Sequence, residues 1–276
     1  MCLLLIIMSE TNNKLLFLFI KWYIYYLEKI KIKFVFMKRI STLFIGILLL
    51  SSQVVFSQQK KEENPFSISL DLVSRYVWRG ADFGASPNVQ PGIEYNKNGF
   101  TAGAWGAYAM SFNGYQESDL YLGYTFNDLV NVSLTDYFFQ NGASNYFDYN
   151  KDTTSHIFEI SVTYKGTKKL PLSILLATNV YGADAKKADG KNQYSTYAEV
   201  NYDFKYISLF AGANLTPVDL DKGETGFYGN YLGFVNMGIK ATKKVKITDN
   251  YSLPVNFSII TNPQTEKIFF VAGLSF

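Results

Sequence analysis

KIFFVAGLSF, residues 267–276, is the stretch whose reading decides the fold. Ile268, Phe270, Ala272, Leu274 and Phe276 fall on one side of an extended chain, and Lys267, Phe269, Val271, Gly273 and Ser275 on the other. Side chains of a strand alternate between its two faces, so a period of two reads as a strand with one apolar face. That face has two destinations. In a soluble all-β domain it points into a core, and in a membrane barrel it points into lipid.

Working back from the end, the same pattern recurs. Strands are expected at 66–79, 89–95, 100–110, 117–126, 130–139, 156–164, 172–181, 194–202, 207–215, 230–241, 253–261 and 267–276. Their number is even, as in bacterial one-chain barrels, and many reach the ~9–11 residues that a tilted membrane strand needs. Lys97-Asn98-Gly99 and Asn127-Asp128 are tight-turn signals,. Pro91 lacks an N–H and predicts an irregular ladder. Long polar connections alternate with tight ones along most of the chain, as a barrel with both termini on one side of a membrane requires. Residues 243–252 break the alternation, being long where a turn is due. The fold class expected is all-β, a transmembrane antiparallel up-and-down barrel of about twelve strands.

Residues 1–57 are set aside from the fold. Residues 37–57, MKRISTLFIGILLLSSQVVFS, carry a basic start at Lys38 and Arg39, an apolar run and small residues before Gln58. That is the layout of a cleaved secretory signal peptide. Residues 1–36 are read as an extended start in AT-rich sequence, with Met37 the initiator, rather than as a membrane helix. The mature barrel is then 58–276. Seven of the 26 Lys and Arg and two of the 23 Asp and Glu precede residue 58, leaving 19 basic against 21 acidic residues. The basic excess therefore belongs to the leader, and no nucleic-acid partner is expected. The single Cys, Cys2, also lies there, so no disulfide or lipid-anchored cysteine is expected in the barrel,.

SRYVWRGADFGASPNVQPGIEYNKNGFTAGAWGAY (74–108) and TDNYSLPVNFSIITNPQTEKIFFVAGLSF (248–276) resemble the TorF-like, Gcw_chp-type porin family of bacterial outer-membrane barrels. The matching features are Tyr76-x-Trp78-Arg79-Gly80, Gly92-x-x-Tyr95 and Gly103-x-Trp105. The resemblance implies a Gram-negative outer-membrane barrel that passes small solutes. Outer-membrane lipid and the barrel-assembly machinery are its expected partners. Phe276, with Leu274 and Phe270, resembles the C-terminal assembly signal of such barrels. The rival functions are a non-conducting structural or adhesive barrel and an outer-membrane acyl hydrolase.

Asp71, Arg75 and Arg79, spaced i, i+4 and i+8 on the strand expected at 66–79, should point one way. With Glu94, Asp119, Glu159 and Glu199 they are expected to form a charge patch in the lumen. It serves either to select solutes or to join strands through ion pairs. His156, the one His of the chain, could act as a base with Ser155 or Ser161 and Glu159, but no nucleophile motif surrounds it. Asp219, Asp221 and Glu224 miss the spacing of a calcium loop,. No catalytic set, metal or cofactor is expected.

Overall fold

The computed structural model describes residues 64–276, apart from 85, 112–113 and 141–144. The extension and leader readings of 1–36 and 37–57 lie outside the described residues. The strands are β1 (Phe66–Val73), β2 (Val77–Trp78), β3 (Ala81–Asp82), β4 (Asn88–Lys97), β5 (Phe100–Ala109), β6 (Gln116–Phe126) and β7 (Val130–Phe139). They continue with β8 (His156–Tyr164), β9 (Leu172–Gly182), β10 (Thr196–Asp203), β11 (Ile207–Asn214), β12 (Gly233–Lys246), β13 (Ser252–Asn262) and β14 (Lys267–Ser275). Twelve of the described strands, all but β2 and β3, close into one antiparallel barrel in which sequence neighbours are spatial neighbours.

Closure joins the two ends of the chain. β1 pairs with β14 at Asp71↔Ser275, Leu72↔Leu274 and Val73↔Gly273. The Phe276 N–H adds a bond to the Leu70 carbonyl at 2.9 Å. Without this seam two strand edges would be left with unpaired backbone, which neither lipid nor a soluble sheet tolerates well.

The faces sort in the reverse of a soluble protein. Ile68, Leu122, Ile160, Leu176, Phe257 and Phe270 are exposed on the outside. Among the described residues nine apolar side chains are buried, against fourteen polar or charged ones. Soluble domains bury apolar groups and leave charges out. Here the apolar belt is the outer wall. Aromatic pairs border it at the short-turn end, with Phe66–Tyr95 at 5.0 Å, Tyr124–Phe126 at 4.8 Å and Tyr202–Phe204 at 4.7 Å.

Turn chemistry separates the two ends. Asn98 and Gly99, and Asn127 and Asp128, all have positive φ, as two-residue hairpins of matching twist require,. The connection expected to be long at 243–252 is instead a continuation of the hairpin. β12 and β13 stay paired down to Lys246↔Ser252, leaving 247–251 as the turn. The alternation of tight turns at one end with longer loops at the other is thereby regular until the short link 263–266. Pro91 acts as expected. β4 and β5 pair at Val89↔Tyr108 and again at Gly92↔Trp105, but not at Gln90 and Pro91 between them.

Candidate functional site

The first strand is shorter than its alternation suggests. β1 ends at Val73, and the chain then turns into the barrel as a small hairpin, β2–β3, with two residue pairs, Val77↔Asp82 and Trp78↔Ala81. Arg79 and Gly80 form its tip, both at positive φ. Asp71, Arg75 and Arg79 therefore do not line one strand. Asp71 stays on β1, while Arg75 and Arg79 belong to the inserted segment.

The tip reaches both walls. On one side Gly80 lies so close to β12 that a Cβ would overlap the Val235 carbonyl, and its own carbonyl accepts from Asn262 Nδ2 at 3.1 Å. On the other side the Arg79 guanidinium makes a two-pronged ion pair with Glu159 of β8, Nη2 lying 2.9 Å from Oε1. Arg79 Nη1 also donates to the Tyr228 hydroxyl at 2.6 Å. Tyr228 in turn donates to Glu159 Oε2 at 2.9 Å, and Tyr137 donates to Oε1 at 3.1 Å. Trp78, Tyr197 and Tyr228 face the guanidinium at 4.5, 4.7 and 5.3 Å from their ring centres. The charge is thus paired, hydrogen-bonded and ring-packed, which a buried ion pair needs to offset its desolvation. Burial pushes the Tyr228 hydroxyl pKa well above its ordinary value.

The other expected lumen charges are placed separately. Arg75 pairs with Asp82 at 3.4 Å inside the hairpin and lies over Phe269. Glu94 accepts from the Tyr121 hydroxyl at 3.0 Å. Glu199 accepts from Tyr197, from Asn236 Nδ2 at 2.8 Å and from Asn201 Nδ2 at 2.9 Å. Asp119 is buried on β6, and Glu117, two residues earlier on the same face, was not anticipated. Neither Glu117 carboxylate oxygen nor Asp119 Oδ1 has a hydrogen-bond partner of good geometry among the described residues, although Tyr76 stands close to Glu117. Of the seven charges, Arg79 with Glu159 and Arg75 with Asp82 form ion pairs, Tyr197 stands between Arg79 and Glu199, and Glu94 has its own tyrosine partner. Of the residues that hold the insert, Tyr76 and Trp78 belong to the motif that carries the family resemblance, whereas Tyr228 carried no sequence signal.

The family model described as bacterial protein of unknown function (Gcw_chp) matches residues 58–249. The chain belongs to this family. No curated protein matches it. Among solved structures it is similar to two mutants of the Rh. blastica porin, at 12% and 13% identity. Each alignment covers 77% of this chain and 73% of that chain, with a TM-score of 0.36.

In this Gcw_chp member His156 and Glu159 make separate contacts. Glu159 faces the lumen on Arg79. His156 is wholly buried beneath the loop after β7. Its Nδ1 lies 2.8 Å from Asp136 Oδ1 and its Nε2 lies 2.7 Å from the Tyr146 carbonyl, with Tyr149 stacked at 4.4 Å. Nδ1 ties β8 to Asp136 of β7, and Nε2 fixes the loop to that wall through Tyr146. His156→Ala should therefore leave permeation unchanged and speed tryptic cleavage after the exposed Lys151. Equal cleavage rates would contradict this role. Of the acidic loop residues, Asp219 pairs with Lys222, and Glu224 accepts the backbone N–H groups of Ala188 and Asp219. Those N–H bonds, Asp219's first, hold the Glu224 carboxyl below its usual pKa. No group of three or more metal-binding side chains occurs among the described residues.

Proposed function

We propose that this protein is an outer-membrane barrel of porin type through which small solutes pass around a luminal hairpin. One observation carries the reading: the exposed wall is apolar while the buried set is mostly polar. A closed barrel leaves no free strand edge, and apart from the gap at Gln90 and Pro91 each described ladder pairs its backbone within the wall, which suits it to hydrocarbon,. Phe270, Leu274 and Phe276 lie on the outer face of the closing strand, where an assembly machine could read them. Around the hairpin lie spaces of about 440, 380 and 270 Å³. A twelve-strand barrel is wider than the eight-strand barrel that side chains fill, and narrower than an open porin of ~16–18 strands.

The hairpin itself favours a second reading, a barrel that is structural and does not conduct. Planar-bilayer recording together with swelling of vesicles in glucose separates the two. Conductance steps and glucose-driven swelling are expected. Silence in both assays, with the barrel folded, would remove the porin reading and leave the structural one.

A further inference from the structure

At the loop end the largest of these spaces, about 440 Å³, is walled by six aromatic rings: Trp78, Phe83, Tyr115, Phe139, Phe227 and Tyr228. They come from the hairpin, from the loop before β6, from the end of β7 and from the loop before β12. Phe83 and Tyr115 are 4.7 Å apart, Phe83 and Phe139 are parallel at 6.0 Å, and Phe227 meets Tyr228 edge-on at 4.9 Å. The charged group on the lining is Arg79, and Glu159 already neutralises it. The chamber lining therefore offers ring faces with no unpaired charge of its own, while the buried carboxylates of Glu117 and Asp119 stand close to Tyr76 and Tyr115.

The aromatic surface does not stop there. Tyr76 lies 5.4 Å from Phe83 and 5.7 Å from Trp105. Trp105 stands beside the two unpaired positions Gln90 and Pro91 of the β4–β5 ladder. On the outside, at that gap, a groove of about 420 Å³ is bordered by Ile68, Pro91, Ile93 and Leu120. A chain of rings thus runs from the chamber to the gap in the β4–β5 ladder, with the apolar belt beyond. An anion would be repelled by the Glu117 and Asp119 carboxylates beside this surface, and a heavily hydrated solute would give up more water along the ring faces than the few tyrosine hydroxyls replace,. A ring compound would stack on it, and the volume lies in the range of small-molecule sites.

Resting on the porin reading, we propose that this chamber is a binding site for small, uncharged, ring-bearing solutes. The natural reporters are in place. Trp78 lines the chamber and Trp105 stands at the gap, and no other tryptophan follows residue 57. With Trp22→Phe and Trp105→Phe in the full chain, folded into phosphatidylcholine vesicles, nitrobenzene should quench Trp78 along a saturating curve. Iodide should quench it only linearly. Ala183→Phe, which fills the chamber from an exposed position on its rim, should weaken the saturating phase at least tenfold. Should that variant not fold, Ala81→Phe enters the same space from the hairpin. Linear quenching by nitrobenzene, identical with and without the filled chamber, would reduce the effect to partition into lipid and overturn the assignment. Glucose swelling of the same vesicles keeps the two ideas apart. Swelling without saturable quenching removes the chamber site alone, whereas absence of both removes the porin reading beneath it.

Discussion

Arg79→Ala is expected to unplug the barrel: single-channel conductance should rise severalfold while the wall keeps its stability. The hairpin cannot hold itself in place. It has two residue pairs, and even a full two-stranded hairpin is marginal alone in water. What anchors it on the β8 side is the guanidinium clasped by Glu159 and Tyr228. Removing one member of a buried ion pair costs about 3–5 kcal/mol, because the other is left charged and unmatched. The anchors that remain are a close backbone contact and one side-chain hydrogen bond at Gly80, the latter worth about 1 kcal/mol, and the packing of Tyr76 on Trp105 and of Trp78 on Tyr137, which no charge locks in place,. The balance therefore moves toward a displaced hairpin. Arg79 belongs to none of the wall strands, so urea unfolding of the barrel should shift little. Glu159→Gln keeps the shape of the acceptor and strands the cation instead, and it should open the lumen in the same direction. The double variant should cost less than the two single changes added together, as partners in one contact do. Unchanged conductance in both single variants, with folded barrels, would show that the hairpin is held by something other than this pair.

The contrast between wall and insert also explains what the residues could and could not announce. The wall was legible because its code is local. Ile268, Phe270 and Ala272 alternate with Phe269, Val271 and Gly273, and lipid or lumen enforces that alternation on every strand. The turns at Asn98-Gly99 and Asn127-Asp128 are likewise written in adjacent residues. The end of β1 was not legible. Tyr76 and Trp78 continue the parity of Leu70 and Leu72, so periodicity alone runs the strand on to Arg79. What bends the chain inward is a partner eighty positions away in sequence, and no local pattern encodes it. β12 failed in the opposite sense. Lys243, Lys244 and Lys246 look like loop, yet they pair with β13 at Val255, Pro254 and Ser252. At the short-turn end a lysine can reach water from either face, so the ladder continues without an apolar stripe to mark it. His156 shares its side of β8 with Phe158, as its position suggested. Its burial depends on a loop whose course the sequence did not specify.

Ile160→Arg and Ser161→Arg should differ sharply, although they change adjacent residues of one strand. Ile160 is at the centre of β8, exposed on the outer face, between Leu134 of β7 and Thr178 of β9. Ser161 faces the lumen and shares a hydrogen bond of 2.8 Å with Ser133. If hydrocarbon covers the outer face, arginine at 160 costs about 2–4 kcal/mol, the penalty for such a charge near the middle of a barrel wall. Arginine at 161 enters a wet, carboxylate-bearing space and loses about one neutral hydrogen bond, roughly 1 kcal/mol. Urea titration of the barrel folded into vesicles, followed by gel mobility, reads both numbers. The order matters more than the sizes. A water-soluble barrel would carry arginine at 160 on its solvated surface at almost no cost and would resist it at 161, where the interior is packed. Finding 161 to be the costlier position would therefore turn the barrel inside out, with the apolar belt awaiting a protein partner in place of lipid.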